Sequence, residues 1–183
     1  MTRHASNITD KSKLTGALAG PTMRIAIGCL VLFLTVGSAL GQTAQVQRID
    51  IVEYGLYAVD RLACQRDVRG VERCGWLHTK TTSAVPAEIG LAFGVRFRVV
   101  GTPDGAQVSL SRDWLFPDVG LRPPAPNPPS RRMDRTFPAT IGNTGLILYT
   151  LDNPWELVPG PWILEFWYEG RKLASSTFTM VKQ

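Results

Sequence analysis

Cysteine and histidine are nearly missing from this chain: 183 residues hold three cysteines and two histidines, with no Cys-x-x-Cys pair. A closed zinc site needs four nitrogen or sulfur ligands at short spacing, so finger-type metal modules are excluded. There is no Gly-x-Ser-x-Gly elbow, which removes the usual α/β-hydrolase nucleophile. The glycines fall singly at turns, and Thr140-Ile141-Gly142-Asn143-Thr144-Gly145 lacks the lysine and the helix of a phosphate-binding loop. No segment keeps a helical spacing of apolar residues for long, which argues against a helical domain. Nor does any apolar run reach the roughly 20 residues that span a bilayer core.

What is present begins at Met23. Arg24 precedes the apolar run Ile25–Val36, and the small residues Gly37, Ser38 and Ala39 follow, with Leu40 and Gly41. A charged start, a short apolar stretch and an Ala-x-Gly site make up a secretory leader, cut between Gly41 and Gln42. The alternative is an uncleaved anchor, since apolar length is a soft criterion. Cys29 lies inside the run rather than at the cut, so a lipid-modified cysteine is not expected. Residues 1–22 are either a polar extension or the product of a misassigned start, with Met23 the true one. The expected organisation is therefore extension (1–22), signal peptide (23–41), short linker (42–47) and one domain (48–183).

The excess of positive charge thins out accordingly. The whole chain carries 20 Lys+Arg against 15 Asp+Glu; Arg3, Lys11, Lys13, Arg24 and Asp10 fall within 1–41, so the remainder carries 16 against 14, a net charge of +2. Nucleic-acid binding loses its electrostatic footprint. Two cysteines remain, Cys64 and Cys74, and an even pair in an oxidising compartment reads as a disulfide closing a short loop. A metal site of Cys64, Cys74 and His78 is the competing reading, one ligand short.

Period-2 patterning dominates from Gln47 onward. Leu91, Phe93, Val95, Phe97 and Val99 share one face of a strand, and Arg96 and Arg98 lie on the other. Trp162, Leu164, Phe166 and Tyr168 alternate in the same way, and Glu169-Gly170-Arg171-Lys172 turns the chain into Leu173–Val181 as a hairpin. Further strands are expected at Arg48–Ala58, Val71–Thr79, Gln107–Ser111, Arg132–Phe137 and Thr144–Leu151, with Gly55 at a bulge. This is an all-β pattern of about seven short strands, pointing to an immunoglobulin-like antiparallel β-sandwich, with a small β-barrel as the runner-up. Six prolines between Pro117 and Pro129 interrupt it; at that density the chain runs as an exposed polyproline-type loop over 117–130.

Two stretches carry a family resemblance. Ile49-Asp50-Ile51-Val52-Glu53-Tyr54-Gly55-Leu56-Tyr57 opens the domain, and Val158-Pro159-Gly160-Pro161-Trp162 continues through Phe166-Trp167-Tyr168-Glu169-Gly170-Arg171-Lys172-Leu173 to Phe178. Together they resemble the bacterial domain family DUF3859 over roughly residues 48–181. That resemblance implies no activity and no catalytic residues, because the family has no assigned function. The proline-rich loop and the Cys64/Cys74 pair are not placed by it.

Function must then be sought among aromatic and basic side chains. Trp162 belongs to the core, whereas Trp167 alternates to the opposite face, where an exposed tryptophan marks a contact surface. Trp155, after Asn153-Pro154, is a second candidate, and Arg131, Arg132 and Arg135 form a basic flank to the proline loop. Arg96 and Arg98 read as a solvated outer face or a weak anion stripe. Glu165 and Glu169 share a face but stand about 13 Å apart along an extended strand, too far for a glycosidase pair. Taken together, the residues point to a periplasmic or secreted, non-enzymatic binding or accessory module of the cell envelope. It is expected to use no cofactor and no metal, and to contact another envelope protein or a surface glycan. A hydrolase built around His78 and a nearby carboxylate is one alternative; a structural component tethered by an uncleaved leader is another.

Overall fold

The computed structural model of this protein describes residues 43–182; the expected leader and the extension before it lie outside the described residues. Nine strands form: β1 (Gln45–Arg66), β2 (Glu72–Lys80), β3 (Ala84–Pro86), β4 (Ala92–Thr102), β5 (Gln107–Leu115), β6 (Arg132–Thr140), β7 (Thr144–Thr150), β8 (Gly160–Tyr168) and β9 (Arg171–Val181), with a 3₁₀ turn at Pro154–Glu156. They make a four-stranded sheet ordered β2-β1-β4-β7 and a five-stranded sheet ordered β3-β9-β8-β5-β6. Neither closes on itself, so the architecture is the sandwich and not the barrel. Among the described residues only β3 against β9 is parallel.

The alternation read from β4 and β8 sets the packing. Phe93, Val95, Phe97 and Val99 point inward from the four-stranded sheet, and Trp162, Leu164 and Phe166 meet them from the other. Phe93 is the hub. Its ring lies 5.5 Å from Trp114, 5.8 Å from Trp162 and 5.1 Å from Phe178, all near edge-to-face. Each such pair adds about 0.5–1.5 kcal/mol beyond simple burial. The Trp162 indole donates to Val158 O at 3.0 Å, whereas the equally buried Trp114 Nε1 finds no partner.

Three features depart from the strand pattern. β1 starts at Gln45, inside the expected linker, and runs on to Arg66 instead of stopping near Ala58. Its first part pairs with β4 from Gln45 to Tyr57, while Ala58, Val59, Asp60, Gln65 and Arg66 pair only with β2. The result is a two-stranded arm beyond the sandwich, closed by a Cys64–Cys74 disulfide. The short β3 was invisible to periodicity because three residues contain too little alternation. The proline loop is exposed over Pro124–Pro129, but its neck is zipped by reciprocal backbone bonds between Leu121 and Ser130 (2.8 and 2.9 Å), and Leu121 is buried in the core.

At the opposite end from the arm, the turn of the β8–β9 hairpin holds the start of β1. Glu169 and Gly170 both have positive φ, at 48° and 76°, the conformation of a tight hairpin turn. Arg171 donates to Val46 O (2.6 Å) and Gln47 O (3.1 Å), and Tyr168 Oη donates to Ala44 O (3.0 Å).

Candidate functional site

Strand register assembles a polar row on the outer face of the five-stranded sheet. Asp113 on β5 stands directly across from Asp134 on β6 and Glu165 on β8. Side chains directly opposite in antiparallel strands have Cβ atoms about 4.5–5.5 Å apart, so three carboxylates share one rung. Two are buried, Asp113 at 2% exposure and Glu165 at 9%. Buried charge is tolerated only with partners, and here each has one. Arg132 Nη2 donates to Asp113 Oδ2 at 2.6 Å, and Lys172 Nζ to Glu165 Oε1 at 2.9 Å. Trp167 follows on the same face of β8. Its indole N–H donates to Glu165 Oε2 at 3.2 Å, and Lys172 Nζ lies 5.8 Å from its ring centroid.

Of these groups Asp113, Arg132, Asp134 and Trp167 line, with Ser111 and Gly170, a depression of about 320 Å³. It offers one aromatic face, carboxylate acceptors and a guanidinium within a few ångströms. Asp134, exposed, has no ion-pair partner among the described residues.

Of the side chains singled out from sequence, the structure therefore unites Trp167 and Arg132. The others lie elsewhere. Arg131 is exposed in the neck of the proline loop, where its carbonyl accepts from Phe116 N at 2.9 Å. Arg135 projects from the other face of β6, across from Arg112. Burial first, and then the Arg135 charge, hold the Arg112 guanidinium below its usual range. Trp155 sits on the 3₁₀ turn, packed partly against the core. Asp113, Asp134, Glu165 and Lys172 were missed as site residues. The signal was available in part, since Asp113 follows Leu110 and Arg112 and precedes Trp114 in an alternating strand.

A second polar cluster occupies the outer face of the four-stranded sheet. Glu53 Oε1 accepts from Tyr57 Oη (3.0 Å) and Arg96 Nε (3.3 Å), and Glu53 Oε2 lies 3.6 Å from His78 Nδ1. His78 Nε2 is 3.1 Å from Tyr54 O, so both ring nitrogens face oxygens. Partial burial pushes the Glu53 carboxyl up, but the Tyr57 and Arg96 hydrogen bonds and the His78 and Arg96 charges outweigh it and hold it below the carboxylate range. Burial and the Glu53 carboxylate push the Tyr57 phenol well up. Gly55 and Gly94 are cross-strand partners near Tyr57, and both are buried. A Cβ at Gly94 would strike the Ile147 carbonyl and one at Gly55 the Lys80 carbonyl.

The cysteine question is resolved by the disulfide. With both sulfurs bonded to each other, Cys64 and Cys74 are not thiolate ligands, although Glu72 approaches them closely. No described helix is long and apolar enough to cross a membrane.

Comparison with known proteins bears on the fold and the family. An immunoglobulin-like protein of Pseudomonas aeruginosa, solved by crystallography, matches with a TM-score of 0.52 at 23% identity, covering 74% of this chain and 98% of that one. At that identity the likeness concerns the fold. No curated protein matches the chain. The domain of unknown function DUF3859 matches residues 45–180, the whole sandwich from the first strand to the last, and the chain belongs to that family.

Proposed function

We propose that this domain is a non-enzymatic binding module of the bacterial cell envelope, exported by its leader, and that it takes a surface glycan on the Trp167 face. The observation that carries this reading is the placement of the Trp167 indole beside Asp113, Asp134 and Arg132 in one open depression. Sugar rings present C–H faces that pack on aromatic rings, and vicinal hydroxyls that pair with carboxylates and guanidinium groups. The disulfide supports an oxidising compartment. Titration with envelope oligosaccharides, read by tryptophan fluorescence, tests the proposal. Trp167→Ala and Asp134→Asn should each weaken binding by about tenfold or more, equivalent to about 1.4 kcal/mol, with the fold unchanged by circular dichroism. Equal binding by wild type and Trp167→Ala would remove the site.

A second reading rests on the His78–Glu53–Tyr57–Arg96 cluster, in which a histidine and a carboxylate stand in the pairing used for acid–base work. Turnover of an ester or glycoside substrate, abolished in His78→Ala, would favour it over the binding module.

A further inference from the structure

The arm holds apolar side chains in water by construction. Beyond Tyr57 the β1–β2 ladder breaks between Asp60 and Gln65, so that residues 61–64 bulge out. Asp60 Oδ1 fixes this bulge by accepting from Leu62 N (3.0 Å) and Ala63 N (3.3 Å). At the tip, Asp67 Oδ1 accepts from Arg69 N and Val71 N, both at 2.9 Å. The disulfide closes the loop between them. Leu62 and Val68 are fully exposed and Val71 half-exposed. Isolated exposed hydrophobes are ordinary, but Val68 and Val71 stand on the loop that the disulfide closes, and Leu62 on the bulge just before it.

Residues 58–77 carry four arginines against three carboxylates, Asp60, Asp67 and Glu72, the last exposed and across from Arg66. Asp60 and Asp67 face their own backbone N–H groups. Arg61, Arg66, Arg69 and Arg73 flank the apolar residues along the chain, and of these four only Arg73 has a carboxylate in ion-pair range among the described residues, Asp67 at 3.5 Å. Unpaired guanidinium groups match phosphate oxygens in a two-pronged geometry. An exposed apolar segment interleaved with unpaired arginines fits a soft surface that takes in the hydrophobes and offers phosphates beside them.

We propose that the end of the β1–β2 arm docks on an anionic lipid surface, with Leu62, Val68 and Val71 entering the headgroup–acyl boundary and Arg61, Arg66 and Arg69 contacting lipid phosphates. The proposal goes beyond the glycan site, which occupies another part of the molecule. It is tested by flotation of the protein, as it accumulates when expressed with its own leader, on vesicles of phosphatidylglycerol and phosphatidylcholine against phosphatidylcholine alone. Binding to the anionic vesicles that falls as salt is raised is expected. Leu62→Glu with Val68→Glu should weaken it by about tenfold or more, and Arg61→Glu with Arg69→Glu should do so separately. These positions are exposed, and an unchanged melting temperature confirms the fold in each variant. Trp167→Ala should float normally, which separates this surface from the glycan face. Absence of flotation on anionic vesicles, or flotation that both double variants leave intact, overturns the proposal. So does a tip-dependent dimer in size-exclusion chromatography without vesicle binding, which would assign the tip to a second copy of the chain.

Discussion

Replacing Glu156 should unfasten the connection between β7 and β8. Glu156 is 6% exposed, and its two oxygens serve four donors. Oε1 accepts from Tyr149 Oη at 2.8 Å, and Oε2 from Asp152 N (2.8 Å), Asn153 N (2.6 Å) and Asn153 Nδ2 (3.2 Å). Hydrogen bonds to a charged acceptor contribute about 1.5–3 kcal/mol each, but their sum is not the cost of Glu156→Ala. The backbone donors lie in a connection near solvent and regain water, whereas the Tyr149 phenol, 9% exposed, is stranded. A loss of about 3–5 kcal/mol is expected, a large part of a typical domain's stability. Glu156→Gln should cost about 1–2 kcal/mol, because an amide oxygen keeps the three N–H donors and the amide nitrogen donates to Tyr149 Oη. Tyr149→Phe should be sub-additive with Glu156→Ala, since the second change removes the group that the first one orphans. Urea unfolding followed by circular dichroism measures all four proteins. If Glu156→Ala costs less than about 1 kcal/mol, or matches Glu156→Gln, the carboxylate is not the fastening it is argued to be.

Two further outcomes are expected. Burial, and after it the partner carboxylates, raise the Tyr57 and Tyr149 phenols. Their contribution to stability is fully present below the unfolded phenol value of about 10 and is lost as pH rises above it. Absorbance at alkaline pH should show these two tyrosines ionising only as the domain unfolds. Trp114→Phe should destabilise less than Trp162→Phe, because it removes an indole N–H that has no partner, whereas Trp162 loses a bond to Val158 O; thermal melts of the two variants decide it.

The sandwich was legible because its central strands turn large apolar side chains to one face and mostly small or polar ones to the other. Leu110 and Trp114 alternate against Ser111 and Asp113, and Phe93 to Val99 against Arg96 and Arg98, so period 2 survives in the sequence. The arm was not legible. Asp60, Arg61, Gln65 and Arg66 show no alternation, and they are extended because β2 and the disulfide hold them so. The site was visible only in halves. Alternation placed Trp167 opposite Trp162, but nothing along the chain says that Asp113 meets both Asp134 and Glu165. That meeting depends on cross-strand register, which is fixed by tertiary packing and by the hairpin turns. The same holds for Glu53 and His78, which sit on neighbouring strands separated by a register shift.

β1 is one continuous strand serving two bodies. Its first part is laced to β4 and pinned at its start by Arg171 and Tyr168, and its second part is the spine of the arm. A pull on the arm against the rest of the sandwich would run along the β1–β4 ladder and load its hydrogen bonds together, in shear, rather than opening them one at a time as a zipper. The arm is therefore coupled mechanically to the stiffest seam of the four-stranded sheet. Tension on whatever the arm grips would be passed along β1 to the four-stranded sheet.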